Sequence, residues 1–323
     1  MDTELRRLGR SEIRVTPVGL GCWQFSQGQG WNRYWPPLPE EEIDRIVAVS
    51  LEGGVNWFDT AEAYGSGASE RGLARALQKA GCRPGGIVIA TKWRPVLRRA
   101  SSITETIDIR LACLAPYPID LYQIHNPLSV SSTGAQMKAM AGLVRAGNIR
   151  AVGVSNFGTK RMIEAHRLLA AEGVPLVSNQ VHYSLLKRGI EADGTLDAAR
   201  ELGITIIAYS PLDQGVLTGR FHEDPSRRKI LSGLRKWRGF YRTSFLEKSR
   251  PVIEALREVG ARHVATPAQI ALSWLVRAHG ETVVAIPGAS KASQAFANAA
   301  SMRFDLTADE MDHLNRISLP FRK

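Results

Sequence analysis

Val55-Asn56-Trp57-Phe58-Asp59 is a short apolar run closed by a carboxylate, and Thr60-Ala61-Glu62-Ala63-Tyr64-Gly65 follows it. Two more runs end on a polar residue in the same way. Ile87-Val88-Ile89-Ala90-Thr91 closes on Lys92, and Ile119-Asp120-Leu121-Tyr122-Gln123-Ile124 closes on His125. Short apolar runs rich in β-branched residues read as buried parallel strands. In parallel α/β proteins the functional groups gather beyond the carboxyl ends of the strands. Asp59, Tyr64, Lys92 and His125 are therefore expected in one pocket.

Working outward, strand-like runs occur at 18–25, 55–61, 86–92, 119–125, 149–156, 176–183, 204–212 and 283–290. Segments of helical period separate them, at about 40–52, 69–80, 103–114, 133–146, 159–172, 193–202 and 266–278, and another follows at 291–300. Alternation at this spacing predicts an α/β fold, a (β/α)8 TIM barrel, in one domain over 1–323. An open doubly wound sheet would need a glycine fingerprint, and Gly19-Leu20-Gly21-Cys22-Trp23-Gln24 is only half of one. Residues 5–15 read as an N-terminal β-hairpin turning at Gly9-Arg10 and plugging the bottom of the barrel. The interval 213–265 reads as a long loop after strand seven with an extra helix. Leu306-Thr307-Ala308-Asp309-Glu310 opens a further C-terminal helix outside the barrel.

Composition narrows the class. At 44% hydrophobic and 23% charged, the 323 residues describe an ordinary globular protein with a sizeable core. No apolar stretch approaches the roughly 20 residues that cross a bilayer, and Met1-Asp2-Thr3-Glu4-Leu5-Arg6-Arg7 is polar. Cys22, Cys82 and Cys113 are few and odd in number, which suits a reducing compartment. The expected location is cytoplasmic. The charge of +11 is partly local, since 213–250 holds ten Lys or Arg against four Asp or Glu. Arg227-Arg228-Lys229 and Arg235-Lys236-Trp237-Arg238 lie there, with Phe240 and Tyr241 close by. No nucleic-acid motif accompanies that charge, so a solvated loop over a phosphorylated cofactor is the preferred reading. Neither membrane nor nucleic acid is an expected partner, and self-association stays open. The histidines show no H-x-H or H-E-x-x-H spacing, so no metal is expected.

The four polar residues have a joint chemistry. A tyrosine with an ordinary pKa near 10 is a poor acid at neutral pH. An ammonium beside it favours the phenolate, a carboxylate beside the ammonium keeps that charged, and an imidazole can orient a carbonyl or share the proton. Such a pocket protonates an oxygen as charge develops on it, which reduction of a carbonyl by hydride requires. Singly the plainer readings win. Asp59 could cap a turn, Tyr64 could be packing, Lys92 could face solvent and His125 could be a core residue. Their shared place at the ends of strands two, three and four argues for the chemistry.

The chain resembles the aldo-keto reductases over nearly its whole length. The segments are Asn56–Gly65 with Ser69-Glu70, Ala90-Thr91-Lys92, Asp120–His125, Gly153-Val154-Ser155-Asn156-Phe157, Asn179-Gln180-Val181, Ala208-Tyr209-Ser210-Pro211-Leu212 and Ile286-Pro287-Gly288-Ala289-Ser290. The resemblance implies an NADP(H)-dependent oxidoreductase reducing an aldehyde, ketone or sugar, with NADH a weaker cofactor. It makes Tyr64 the general acid, tuned by Lys92 and Asp59, with His125 positioning the carbonyl. Ser155, Asn156 and Gln180 would hold the nicotinamide carboxamide and Tyr209 would stack on its ring. Gly21, Cys22 and Trp23 would lie near the cofactor, and Ser210, Pro211, Leu212, Gly215, Leu217 and Gly219 along its pyrophosphate. Pro287, Gly288, Ser290, Lys291, Gln294 and Asn298 would take the adenine end. Lys291 opens a helix, where a cation suits a 2′-phosphate. Many relatives carry a basic residue at the positions of Gly288 and Gln294, and this chain does not.

Trp23, Trp31, Trp35, Trp93 and Asn126 are the expected substrate wall. Aromatic residues there favour a flat or apolar carbonyl compound, or a sugar stacked on a ring. Some relatives serve as cofactor-sensing subunits of ion channels, and that binding role is the competing reading. The four intact polar groups favour an enzyme.

Overall fold

The computed structural model describes residues 4–28, 34–231 and 239–323. Trp31 and the basic stretch 235–238 lie outside the described residues. The first two strands, β1 (Arg6–Arg7) and β2 (Arg14–Val15), pair antiparallel as the expected hairpin. Eight parallel strands then follow in sequence order: β3 (Leu20–Gly21), β4 (Trp57–Asp59), β5 (Val88–Trp93), β6 (Ile119–Ile124), β7 (Ile149–Ser155), β8 (Leu176–His182), β9 (Thr205–Tyr209) and β10 (Val283–Ile286). Each pairs with its sequence neighbour. Parallel bridges Val18↔Ala285 and Gly21↔Gly288 bring the first and last strands together. Gly19 N donates to Ala285 O at 2.8 Å and Ala285 N to Pro17 O at 2.9 Å, which closes the sheet into a barrel.

Two apolar layers hold it. Inside, Trp57, Val88, Ala90, Leu121, Ala151, Val177, Ile207 and Val284 pack with Leu8, Ile13 and Val15 of the hairpin. The hairpin thus plugs the floor of the barrel. Its turn residue Gly9 has φ +54°, and a Cβ there would stand 2.4 Å from Val177 O, so only glycine fits. Outside, the opposite faces of the same strands pack against the helices. This two-sided burial is why the strands read as continuous apolar runs.

Several expected boundaries move, each for a local reason. The run 18–25 is strand only to Gly21, and Trp23–Ser26 forms a 3-10 turn with Phe25 N bonded to Cys22 O. The run 204–212 ends at Tyr209 because Ser210 turns left-handed, with φ 49°. The run 283–290 ends before Pro287, which has no N–H to donate. The segment 103–114 is two helices, Ser101–Glu105 and Ile107–Leu114, broken at Thr106. The extra helix within 213–265 is Thr243–His263, and the last helix is Ala308–Ser318, fixed by a capping box of Thr307 and Glu310. No described helix is long and apolar enough to cross a membrane.

Candidate active site

Strands β4, β5 and β6 deliver Asp59, Lys92 and His125 to one end of the barrel, and the turn after β4 adds Tyr64. The Lys92 ammonium is fully buried and ion-paired to Asp59 Oδ1. It also donates to Thr60 O at 2.8 Å and to the Tyr64 hydroxyl at 3.5 Å. The Tyr64 and His125 rings meet edge to face at 5.6 Å. All four predicted groups therefore come together.

Burial works against the Lys92 charge, but the Asp59 carboxylate and the Tyr64 hydroxyl outweigh it and hold its pKa above the ordinary lysine value. Lys92 draws the Tyr64 pKa down as expected, but it does not set the net direction. Burial raises it, Lys92 only partly offsets that, and the net direction is upward. The phenol keeps its proton at neutral pH. Burial, with the charges of Lys92 and Arg94, lowers the His125 pKa to about 3, so its imidazole is neutral. A neutral ring can donate one N–H and accept at the other nitrogen. Burial also raises the thiol pKa of Cys22 well above its usual value, which leaves an unreactive neutral group.

Two glutamines escaped the sequence reading in this role. Gln123 donates to Asp59 Oδ2 at 3.1 Å, and Gln180 donates to the same oxygen at 2.8 Å. Gln180 thus points its amide nitrogen at the carboxylate. Alternation along β6 from His125 is the signal that places Gln123 on the inner face.

Beyond this cluster the rim is built of polar backbone and short side chains. Asn156, at φ 60°, donates to Ser155 Oγ at 3.0 Å and to His125 O at 3.2 Å, and accepts from the Tyr209 hydroxyl at 2.9 Å. Tyr209 stacks on His182 at 5.3 Å. After β9 the backbone is left-handed at Ser210, Asp213, Gln214, Gly215 and Gly219, which turns amides into a concave loop suited to anions. Arg220 lies against it, 2.8 Å from where a Gly215 Cβ would be. Leu217 and Cys22 are wholly buried, so their side chains do not line this rim. Across the seam, Gln24 packs on Gly288 so closely that a Cβ there would lie 2.2 Å from Gln24 Oε1, a buried oxygen with no hydrogen-bond partner.

Farther out, an open cleft of about 460 Å³ lies between Pro39, Glu42, Arg45, Ser290 and Lys291. Gln294 accepts from Ser290 N at 2.8 Å, Asn298 donates to Gly288 O at 3.5 Å, and Glu42 accepts from Ala292 N at 2.8 Å. An amide-lined loop, flanking cations and a distal cleft fit an elongated anionic dinucleotide.

On the other side, Trp23 stacks on Tyr34 at 4.5 Å and on Tyr64 at 5.9 Å, with Trp35 edge-on at 6.1 Å. Asn126 sits at the same rim and accepts from Leu128 N at 3.0 Å. Trp93 does not join this wall. It is fully buried in the outer core and donates to Ser102 Oγ at 3.1 Å, because alternation from Lys92 turns it outward. Arg94, the next residue, is exposed.

Comparison with known proteins agrees with this geometry. The model of the aldo/keto reductase family matches residues 17–319. An uncharacterized oxidoreductase of Mycobacterium tuberculosis is 37% identical over 312 residues, covering 96% of this chain and 91% of its own. The chloroplastic pyridoxal reductase of Arabidopsis thaliana is 31% identical, covering 92% and 82%. The crystal structure of an aldo-keto reductase from Klebsiella pneumoniae in complex with NADPH superposes with a TM-score of 0.74 at 26% identity, covering 98% and 95%. A barrel with this polar cluster at the strand ends and a family match over nearly its whole length belongs to the aldo/keto reductase family.

Proposed function

We propose that the protein is an NADP(H)-dependent reductase that turns the carbonyl of an aldehyde, ketone or sugar into an alcohol. The observation that carries this is the Tyr64 hydroxyl, protonated and 3.5 Å from a buried ammonium. A nicotinamide, when bound, supplies the hydride. Tyr64 gives its proton to the carbonyl oxygen as negative charge develops there, and Lys92 stabilises the phenolate left behind. Asp59 keeps Lys92 charged and fixed, and the neutral His125 ring donates an N–H that aims the carbonyl. Ser155, Asn156 and Tyr209 form the nicotinamide end, Ser210–Gly219 the pyrophosphate cradle, and the cleft at Lys291 the adenosine phosphate site. Two relatives support the reading, one a solved structure in complex with NADPH and the other a reductase named for an aldehyde on a flat ring. The aromatic wall of Trp23, Tyr34 and Tyr64 suits such a ring.

Fluorescence titration with NADPH and NADH, followed by an aldehyde screen, tests this. NADPH should quench the tryptophans, and Tyr64→Phe should lose turnover by a factor of about 100 to 10,000 while binding NADPH normally. Turnover surviving in that variant would remove Tyr64 as the acid.

A further inference from the structure

Strand β5 ends at Trp93, and Arg94 is the next residue. Lys92 points inward and Trp93 outward, and the same alternation carried one residue on puts Arg94 on the side of Lys92. The ladder pairs Lys92 with Gln123 and Trp93 with Ile124, and His125 N donates to Trp93 O at 2.9 Å. Arg94 therefore stands beside His125 at the mouth, and its charge is felt on that ring.

The surroundings of Arg94 leave its guanidinium available. The residue is exposed, and among the described residues its side chain has no ion pair and no hydrogen bond. Its backbone N–H is bound to Glu62, whose carboxylate is held by Arg98 at 2.6 Å. Other arginines of this rim are engaged. Arg98 also bonds Thr106 at 3.0 Å, and Arg161 donates to Pro127 O at 2.8 Å over the Phe157 ring. Lys92 cannot meet a substrate anion, since it is buried against Asp59. A planar fork of donors without a partner, on the residue that follows the backbone bond from His125 to Trp93, matches a carboxylate or phosphate.

We propose that Arg94 selects carbonyl substrates bearing an anionic group, a carboxylate or a phosphate, at the end remote from the carbonyl. This rests on the reductase reading above and adds the substrate class. The pocket then has a division of labour. Trp23 and Trp35 take the body of the molecule, His125 and Tyr64 its carbonyl, and Arg94 its charge.

The test compares one ring in three forms: 4-carboxybenzaldehyde, 4-formylphenyl phosphate and the neutral methyl 4-formylbenzoate. The wild-type enzyme should show kcat/KM about tenfold higher for a charged form than for the ester, mainly through KM. Arg94→Met should erase that ratio by lowering kcat/KM for the charged forms, Arg94→Lys should keep part of it, and added salt should shrink it. Whichever charged aldehyde has the larger ratio identifies the anion. Equal kcat/KM for charged and neutral forms, or a ratio unchanged in Arg94→Met, overturns the assignment. Failure to reduce any of the three would overturn the reductase reading itself, and a turned-over ester separates the two failures.

Discussion

Gln180 Nε2 donates to Asp59 Oδ2 at 2.8 Å, a bond between strands β8 and β4 that crosses the barrel interior. Gln123 joins it on the same oxygen. Asp59 Oδ1 faces Lys92, so both oxygens of this buried carboxylate have partners.

Removing one of those partners should loosen the whole cluster. Gln123→Leu leaves a buried carboxylate one donor short, which costs about 1–3 kcal/mol. We expect a lower unfolding midpoint and a kcat reduced about tenfold, with NADPH affinity unchanged. Thermal unfolding and steady-state kinetics check this. An unaltered kcat would mean that Asp59 is fixed by Lys92 and Gln180 alone.

The Asp59–Lys92 pair should be costly to break and cheaper to remove. Lys92→Met strands a carboxylate in the core, at about 3–5 kcal/mol. Asp59→Asn combined with Lys92→Met should recover part of that loss, because no lone charge remains. Denaturant unfolding of the single and double variants decides it. A double variant as unstable as the single one would show that packing, not charge, sets the cost.

The pH dependence has a definite sign. His125 titrates at about 3 in the folded protein against about 6.5 when unfolded. Between those values the unfolded chain binds the extra proton, so stability rises with pH. Stability should therefore fall as pH drops below about 6.5, by at most about 1.4 kcal/mol per unit. Urea unfolding at several pH values should show this slope, and His125→Gln should flatten it. The same slope in both proteins would place the titration elsewhere.

Glu42 should govern the choice between the two nicotinamide cofactors. Its carboxylate takes the Ala292 amide at the start of helix Ala292–Ala300. That bond, with Arg45 and Lys291 nearby, lowers its pKa, so it stays charged beside the cleft proposed for the adenosine phosphate. A 2′-phosphate there meets a like charge. Glu42→Gln should tighten NADPH by about fivefold and leave NADH nearly unchanged. Equal tightening of both would separate Glu42 from the phosphate.

The polar cluster was legible because Asp59, Lys92 and His125 each end an apolar run, Tyr64 follows the first of them, and strand ends in a parallel barrel converge. Residues whose role depends on pairing were less so. Gln123 looks like an interruption of a strand until β4 is placed beside it. Trp93 reads as a pocket wall because it follows Lys92, yet alternation sends it outward into the outer core. The left-handed Ser210, Asp213 and Gln214 were hidden because non-glycine residues rarely adopt that conformation, and their neighbours impose it. The rise in the Tyr64 pKa depended on burial, which a pairing of residue types does not reveal.

The hairpin at the floor of the barrel has a consequence for how the chain is made. Leu8, Ile13 and Val15 leave the ribosome well before Val177, Ile207 and Val284, on which they pack. Gly9 N is held by Thr205 Oγ1, and the Arg6 guanidinium by Val283 O. The hairpin must wait for strands made much later before it has a seat. The stopper is synthesised before the vessel and fitted after it.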